Sequence, residues 1–131
     1  MSSPTILELA QHAVAAAMKA GADFADAYCG AVRHADVAVD NSSVLDCHIV
    51  RDCGIGVRAF VKGGMGLCTV QSLEPDEVAR CGADAAAMAR VAHPDPDFVA
   101  LPEPSIAPRI DGLFDEQVAG LPAEAVVQWC K

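Results

Sequence analysis

The chain has 131 residues, 53% of them hydrophobic, and nine basic against eighteen acidic side chains give it a formal net charge of -9 at pH 7. This length suits one domain that buries roughly two thirds of its unfolded surface. The acidic surplus would repel phosphate backbones and anionic lipids, so no direct binding to nucleic acid or membranes is expected. Without a basic leader or an apolar run of about twenty residues, the sequence predicts a soluble, cytoplasmic protein.

The first predicted element is an amphipathic helix that begins near Pro4 and stops at Gly21. Thr5 and Glu8 have the spacing of a capping box, in which each side chain bonds to the backbone of the other residue. Apolar residues then recur at helical spacing for about four turns. They are Ile6, Leu9, Ala10, Ala13, Val14, Ala17 and Met18.

The apolar period changes to two in residues 24–70, which is typical of strands. Turn-like breaks at residues 40–43 and 52–54 divide this region into four or five strands, and the short connections favour antiparallel pairing. Gly63 and Gly64 are the predicted two-residue turn of the last hairpin. The predicted stripes along its two strands are Ile55, Val57, Ala59 and Val61 on the first, and Met65, Leu67 and Thr69 on the second.

A second helix is predicted from Pro75 to about Ala92, with Asp76 and Glu77 where the helix dipole favours negative charge. Its predicted buried stripe is Val78, Cys81, Ala85, Met88, Ala89 and Ala92. Both helices and one face of the sheet need apolar cover. The sequence therefore predicts an α+β sandwich, with two amphipathic helices packed on one face of a mostly antiparallel four- to five-stranded sheet.

Proline dominates the chain after the second helix, since five of the eight prolines lie in residues 93–108. An extended Pro-rich connection is the expected structure. The predicted organisation is an N-terminal α+β domain at residues 1–92, a linker at residues 93–113 and the start of a truncated following segment at residues 114–131. A further helix is expected to begin near Leu121, and the chain is expected to end inside it.

The cysteines show neither a disulfide framework nor a catalytic pattern, and free, buried thiols are the better interpretation without a secretory leader. They are Cys29, Cys47, Cys53, Cys68, Cys81 and Cys130. A metal site on Cys47, His48 and Cys53 stays open as an alternative, although adjacent residues of a strand point to opposite faces.

Two other chemistries have weaker support in the residues. A nucleophilic dyad would need a thiol and an imidazole side by side, and only strand pairing could bring them together. The candidates are Cys29 or Cys68 for the thiol and His34 or His48 for the imidazole. Residues 54–59, GIGVRA, fit a dinucleotide fingerprint, but that motif must open a helix, whereas residues 57–61 continue as a predicted strand.

Arg58 and Phe60 are the candidate substrate-binding residues. They alternate with the apolar stripe of their strand, so they are predicted to lie on the sheet face that the helices leave uncovered. There a guanidinium would fix a carboxylate of a peptide whose main chain pairs with the sheet. The competing interpretation is an ordinary exposed arginine that packs on Phe60.

Four segments, taken in order, resemble the N-terminal domain of the TldD/PmbA family, the zinc-peptidase-related modulators of DNA gyrase. They are AGADFADAY at residues 20–28, GIGVR at residues 54–58, GGMGL at residues 63–67, and the Ala-rich helix that ends in Met88-Ala89-Arg90. The resemblance covers about residues 7–92. It implies one part of a protein several times longer, which forms dimers and degrades peptides in a cavity between its domains.

The resemblance places the family's zinc site, a His-Glu-x-x-x-His helix and a later Cys, in a C-terminal region without a counterpart here. No histidine of this chain is followed by Glu. The resemblance thus implies neither a cofactor nor a catalytic residue for this chain alone. PmbA-type subunits also lack the zinc motif, so the subtype stays open.

The expected function is therefore a noncatalytic domain that contributes to the substrate cavity and to subunit contacts. Its partner in the full-length protein would be a peptide or protein, within a homo- or hetero-oligomer. The alternative is a stand-alone interaction or self-association module that uses an exposed sheet edge.

Overall fold

The computed structural model describes residues 4–41 and 43–130. Its elements are α1 (Ile6–Lys19), β1 (Phe24–Asp40), β2 (Ser43–Val61), β3 (Gly64–Val70), α2 (Pro75–Val91), α3 (Glu116–Ala119) and α4 (Ala123–Trp129). The strands form one sheet in the order β1-β2-β3. The described residues fall into two compact units, one within residues 1–31 and 52–103 and the other within residues 32–51 and 104–131.

The described sheet has three strands, where four to five were predicted. β1 and β2 are 17 and 19 residues long, and residues 52–54 continue β2 instead of breaking it. Asp52 and Gly54 favour a turn locally, but cross-strand pairing keeps these residues extended. Gly54 has a different role: a Cβ atom there would lie 2.9 Å from the carbonyl oxygen of Val70, so the glycine permits a close backbone approach. The predicted turn at residues 40–43 does follow β1, and Asn41 has a φ of 46°; Ser42 lies outside the described residues.

The hairpin between β2 and β3 turns one residue earlier than predicted. Lys62 and Gly63, with φ of 50° and 82°, occupy the turn, and Val61 pairs with Gly64. Both central residues of such a two-residue turn need positive φ. Asp23 Oδ2 stabilises the unusual conformation because it accepts a hydrogen bond from the Lys62 amide at 2.7 Å. Gly64 belongs to β3.

Helix α1 begins as the sequence predicts. Glu8 N donates to Thr5 Oγ1 at 3.2 Å, and Thr5 N donates to Glu8 Oε2 at 2.7 Å, which completes the capping box. The bond from the Thr5 backbone is the largest cause that lowers the pKa of Glu8. Leu9, Ala13 and Ala17 form the buried face, whereas Ile6 and Met18, which were predicted in the apolar stripe, are exposed.

Helix α2 supplies most of the buried helical surface and packs against both α1 and β3. Met88, which was predicted in the buried stripe of this helix, is instead 49% exposed. The core lies on one face of the sheet, as predicted. It is built mainly from alanine, and Val57 and Val78 are its largest fully buried side chains. The buried residues of α2 are Val78, Cys81, Gly82, Ala85, Ala86 and Ala89.

Three glycines, Gly64, Gly66 and Gly82, bring α2 against its neighbours at backbone distance, and the last two show this most clearly. A Cβ atom on Gly66 of β3 would overlap the Ala85 carbonyl oxygen and lie 2.5 Å from the Ala89 amide nitrogen. A Cβ atom on Gly82 of α2 would overlap the Ala13 carbonyl oxygen of α1. Only a residue without a side chain fits at either contact, and the small core follows from this close packing.

Residues 93–110 contain no helix or strand, as the prolines predict. The boundaries predicted at residues 92 and 113 stay a prediction. Helix α4 begins near Leu121, where a helix was expected, whereas the four-residue α3 was not foreseen. Among the described residues, no helix is both long and apolar enough to cross a bilayer.

Gly66→Ala is expected to lower the free energy of unfolding by about 2–3 kcal/mol, because α2 must move away from β3 to admit the methyl group. Gly56→Ala is the matched control on the paired strand, since a Cβ atom there lies at an ordinary 3.6 Å from Thr69 Cγ2. That control should change stability by less than about 0.5 kcal/mol. Urea unfolding followed by circular dichroism measures both, and equal effects would contradict the packing described.

Candidate functional site

The sheet face opposite the helices is exposed in the first unit, and we call it the open face. On β2 it carries Gly56, Arg58 and Phe60, which alternate with the buried Ile55, Val57 and Ala59. On β3 it carries Met65, Leu67 and Thr69, which share one face of the strand as predicted; that face is exposed, although these residues were predicted as an apolar stripe. The register places Phe60 opposite Met65, Arg58 opposite Leu67, and Gly56 opposite Thr69.

Arg58 is held by an acidic side chain of β1 that sequence reasoning did not single out. Its Nε donates to Asp26 Oδ1 at 3.1 Å and its Nη2 to Asp26 Oδ2 at 2.5 Å. This two-pronged geometry suits a guanidinium and a carboxylate. The hydrogen bond that Arg58 donates to Asp26 is the largest cause that raises the pKa of Arg58. Both side chains remain 45% exposed, so the pair lies at the surface.

The in-chain carboxylate changes what Arg58 can recognise. Asp26 occupies the position that was predicted for the carboxylate of a ligand, and it neutralises the guanidinium. Within the described residues Nη1 has no hydrogen-bond partner, so it can donate to a neutral acceptor. The Arg58 Cζ atom also lies 5.6 Å from the centroid of the Phe60 ring, a cation–π distance.

Phe60 is covered, although it lies on the open face. It is only 6% exposed, because the ring of Phe98 stacks on it with centroids 4.0 Å apart and an interplanar angle of 4°. Phe24 meets Phe98 edge to face at 5.7 Å. The Pro-rich chain is anchored nearby, where Asp95 N donates to Gly63 O at 2.9 Å. A lone aromatic residue in a Pro-rich run was the signal for this contact, which sequence reasoning missed. The proposed substrate role of Arg58 and Phe60 stays a prediction.

A depression of about 290 Å³ lies on the open face beside the ion pair. Its lining includes Gly56, which contributes no side chain, together with Leu67 and with Tyr28, which is 81% exposed. The Arg58–Asp26 pair forms its charged end. The site therefore combines apolar lining residues with one charged pair.

The structure places the cysteines differently from the prediction. All six are free, but only Cys81 is buried, and Cys47 and Cys130 are exposed. Their exposure arises because Cys47 lies on an uncovered stretch of β2 and Cys130 caps α4. Burial is the largest cause that raises the pKa of Cys29, followed by the charge of Cys53.

Two of the alternative chemistries, the metal site and the dinucleotide fingerprint, have no assembled site among the residues that the structure describes. Among residues 4–41 and 43–130, no group of three or more His, Cys, Asp or Glu side chains can hold a metal, so Cys47, His48 and Cys53 do not form one. Within the second unit, His48 Nδ1 lies 3.1 Å from Asp46 Oδ2, and His48 Nε2 lies 3.5 Å from Asp36 Oδ2. Residues 54–59 lie wholly inside β2, so the dinucleotide fingerprint has no helix to open.

Comparison with known proteins agrees with this geometry. Residues 25–89 match the family described as PmbA/TldA metallopeptidase domain 1. This part of the chain is an N-terminal domain of the TldD/PmbA family. A search of curated proteins found no match.

Solved structures of other proteins share the fold. TldE from Thermococcus kodakarensis matches with a TM-score of 0.82 and 20% sequence identity over 93% of this chain. A candidate modulator of DNA gyrase from Bacteroides thetaiotaomicron matches with a TM-score of 0.79 and 19% identity over 98% of this chain. The chain spans 27% and 30% of the length of these two proteins, respectively.

Alkaline stability tests the burial of Cys81. Burial is the largest cause that raises the pKa of this thiol from 9.0 to about 12, and a hydrogen bond with Cys68 adds to it. The unfolded chain therefore loses the Cys81 proton first, and the free energy of unfolding falls as the pH rises from 9 towards 12. In Cys81→Ala the free energy of unfolding should fall less steeply with pH, independently of how the substitution changes stability at neutral pH.

Urea unfolding from about pH 8 to about pH 11 measures this decline, with the exposed Cys47→Ala as the control. The control should retain the pH dependence of the parent chain. An equally steep decline in Cys81→Ala would contradict the assignment.

Proposed function

We propose that this chain is a noncatalytic N-terminal domain of a TldD/PmbA-type metallopeptidase or modulator of DNA gyrase, and that its open face forms part of the peptide cavity of the complete protein. Support comes from the family match of residues 25–89 and from the solved structures of which the chain spans less than a third. The observation that carries the peptide role is the open face itself, with an exposed Arg58–Asp26 pair on a sheet whose other face is sealed.

The peptide lies across the open face and is bound through its main chain by one guanidinium. Arg58 Nη1 donates to a main-chain carbonyl, since Asp26 already satisfies Nε and Nη2. Main-chain recognition suits unfolded peptides of varied sequence.

The second unit supplies subunit contacts in this proposal. Ile106 is 98% exposed, Phe114 is 74% exposed and Trp129 is 72% exposed, which is an unusual set of apolar side chains for a surface that meets only water. The same observation favours the alternative function, a self-association module without a peptide role. Isothermal titration calorimetry of the chain with an unstructured peptide separates the two, because peptide binding is absent only under the alternative.

Arg58→Ala tests the peptide role directly. We expect it to weaken binding of a capped, unstructured peptide roughly tenfold, because a charged donor to the peptide carbonyl is lost. Arg109→Ala is the matched control, since Arg109 also pairs with a nearby acid, Asp111, at 3.3 Å, but lies in the second unit. Isothermal titration calorimetry gives the affinities.

Hydrolysis is measured on the same peptide, with and without added Zn²⁺. We expect the chain alone to leave the peptide intact under both conditions. Cleavage by the chain, or equal affinities for the Arg58 and Arg109 variants, would contradict the proposal.

A further inference from the structure

The glycine at position 56 has no explanation in the packing of the fold. Its φ is not among the positive values of the chain, and a Cβ atom there would make only an ordinary contact of 3.6 Å with Thr69 Cγ2. Gly66 and Gly82, by contrast, are required by backbone contacts. Because Gly56 has no side chain, its half-buried backbone forms part of the lining of the depression on the open face.

The open face already shows how a ring lies on it. Phe98, from an extended Pro-rich segment, stacks flat on Phe60 at 4.0 Å. Phe60 and Gly56 lie on the same face of β2, with Arg58 between them. The face thus binds an aromatic ring from extended chain at one end and keeps an unfilled depression at the other.

The depression fits an aromatic side chain by its chemistry. A glycine in a sheet is stabilised when a neighbouring aromatic ring covers it, because the ring shields backbone that otherwise faces water. Tyr28 and Leu67 supply apolar walls for such a ring. The charged end is the internally neutralised Arg58–Asp26 pair, so it suits a neutral carbonyl acceptor on Nη1 and not a charged side chain.

We propose that the depression over Gly56 is a subsite for one aromatic side chain, Phe, Tyr or Trp, of an extended peptide whose carbonyl accepts a hydrogen bond from Arg58. This inference rests on the proposed peptide role of the open face, and adds which side chain the face selects. Phe98 fills the equivalent position over Phe60 from within the chain.

Two capped heptapeptides of Ser and Ala, one with a central Phe and one with a central Ala, test the subsite on the full chain. In titrations followed by ¹H–¹⁵N correlation spectra, the Phe peptide should bind about tenfold more tightly than the Ala peptide. Gly56→Val fills the depression, and should reduce this preference to less than about twofold. Met65→Val, on the same face but outside the depression, should retain it.

Thermal unfolding checks that both variants fold, and intermolecular NOEs between the Phe ring and the Gly56 Hα protons test the contact in the unaltered chain. NOEs to Gly56, with a preference that Gly56→Val removes, support the subsite. Equal binding of both peptides, or NOEs elsewhere only, overturns the subsite and leaves the proposed function standing. Failure of both peptides to bind overturns the subsite and the peptide role together.

Discussion

The structure of the first unit depends on the close approach of α2 to β3. At Gly66 the helix backbone comes so near that a single methyl group has no space, and at Gly82 the same helix meets α1 in the same way. Short distances between backbones favour small side chains, so the core is made mainly of alanine, with Val57 and Val78 as its largest fully buried side chains. Many short contacts thus replace a few large side chains.

This packing makes the two faces of the sheet unequal. The helices seal one face, whereas the other carries an exposed ion pair and a partly covered aromatic cluster. At the Phe60 end of this open face, the Phe98 ring of the Pro-rich segment covers the sheet. At the other end lies Gly56, where no packing contact requires a residue without a side chain. The asymmetry of the sheet is the physical basis on which a recognition role is proposed for this domain.

Local signals in the sequence predicted the regular elements well. The capping box of Thr5 and Glu8 set the start of α1, and the period of two placed Ile55, Val57 and Ala59 on the buried face. The turn was misplaced because Gly63-Gly64 is the stronger local signal, while a hydrogen bond from Lys62 N to Asp23 selects Lys62-Gly63. Residues 52–54 looked like a turn, but pairing along the sheet keeps them extended.

The sequence predicted only two of the four side chains that interact at the candidate site. Alternation along β2 placed Arg58 and Phe60 on the uncovered face. Their actual partners, Asp26 and Phe98, come from distant parts of the chain: Asp26 is separated from Arg58 by 32 positions. Such pairings depend on strand register and on the path of an irregular segment, and no periodic pattern encodes either. The family resemblance supplied the correct domain, whose N-terminal assignment the comparisons confirm.

The most direct measurement of the central claim is the set of NOEs from the Hα protons of Gly66 in the labelled chain. The close approach predicts strong NOEs from these protons to the amide proton of Ala89 and to the side chain of Met88, together with NOEs from the Hα protons of Gly82 to Ala13. A spectrum in which Gly66 shows NOEs only to its own sheet, with none to α2, would contradict the packing on which the open face depends.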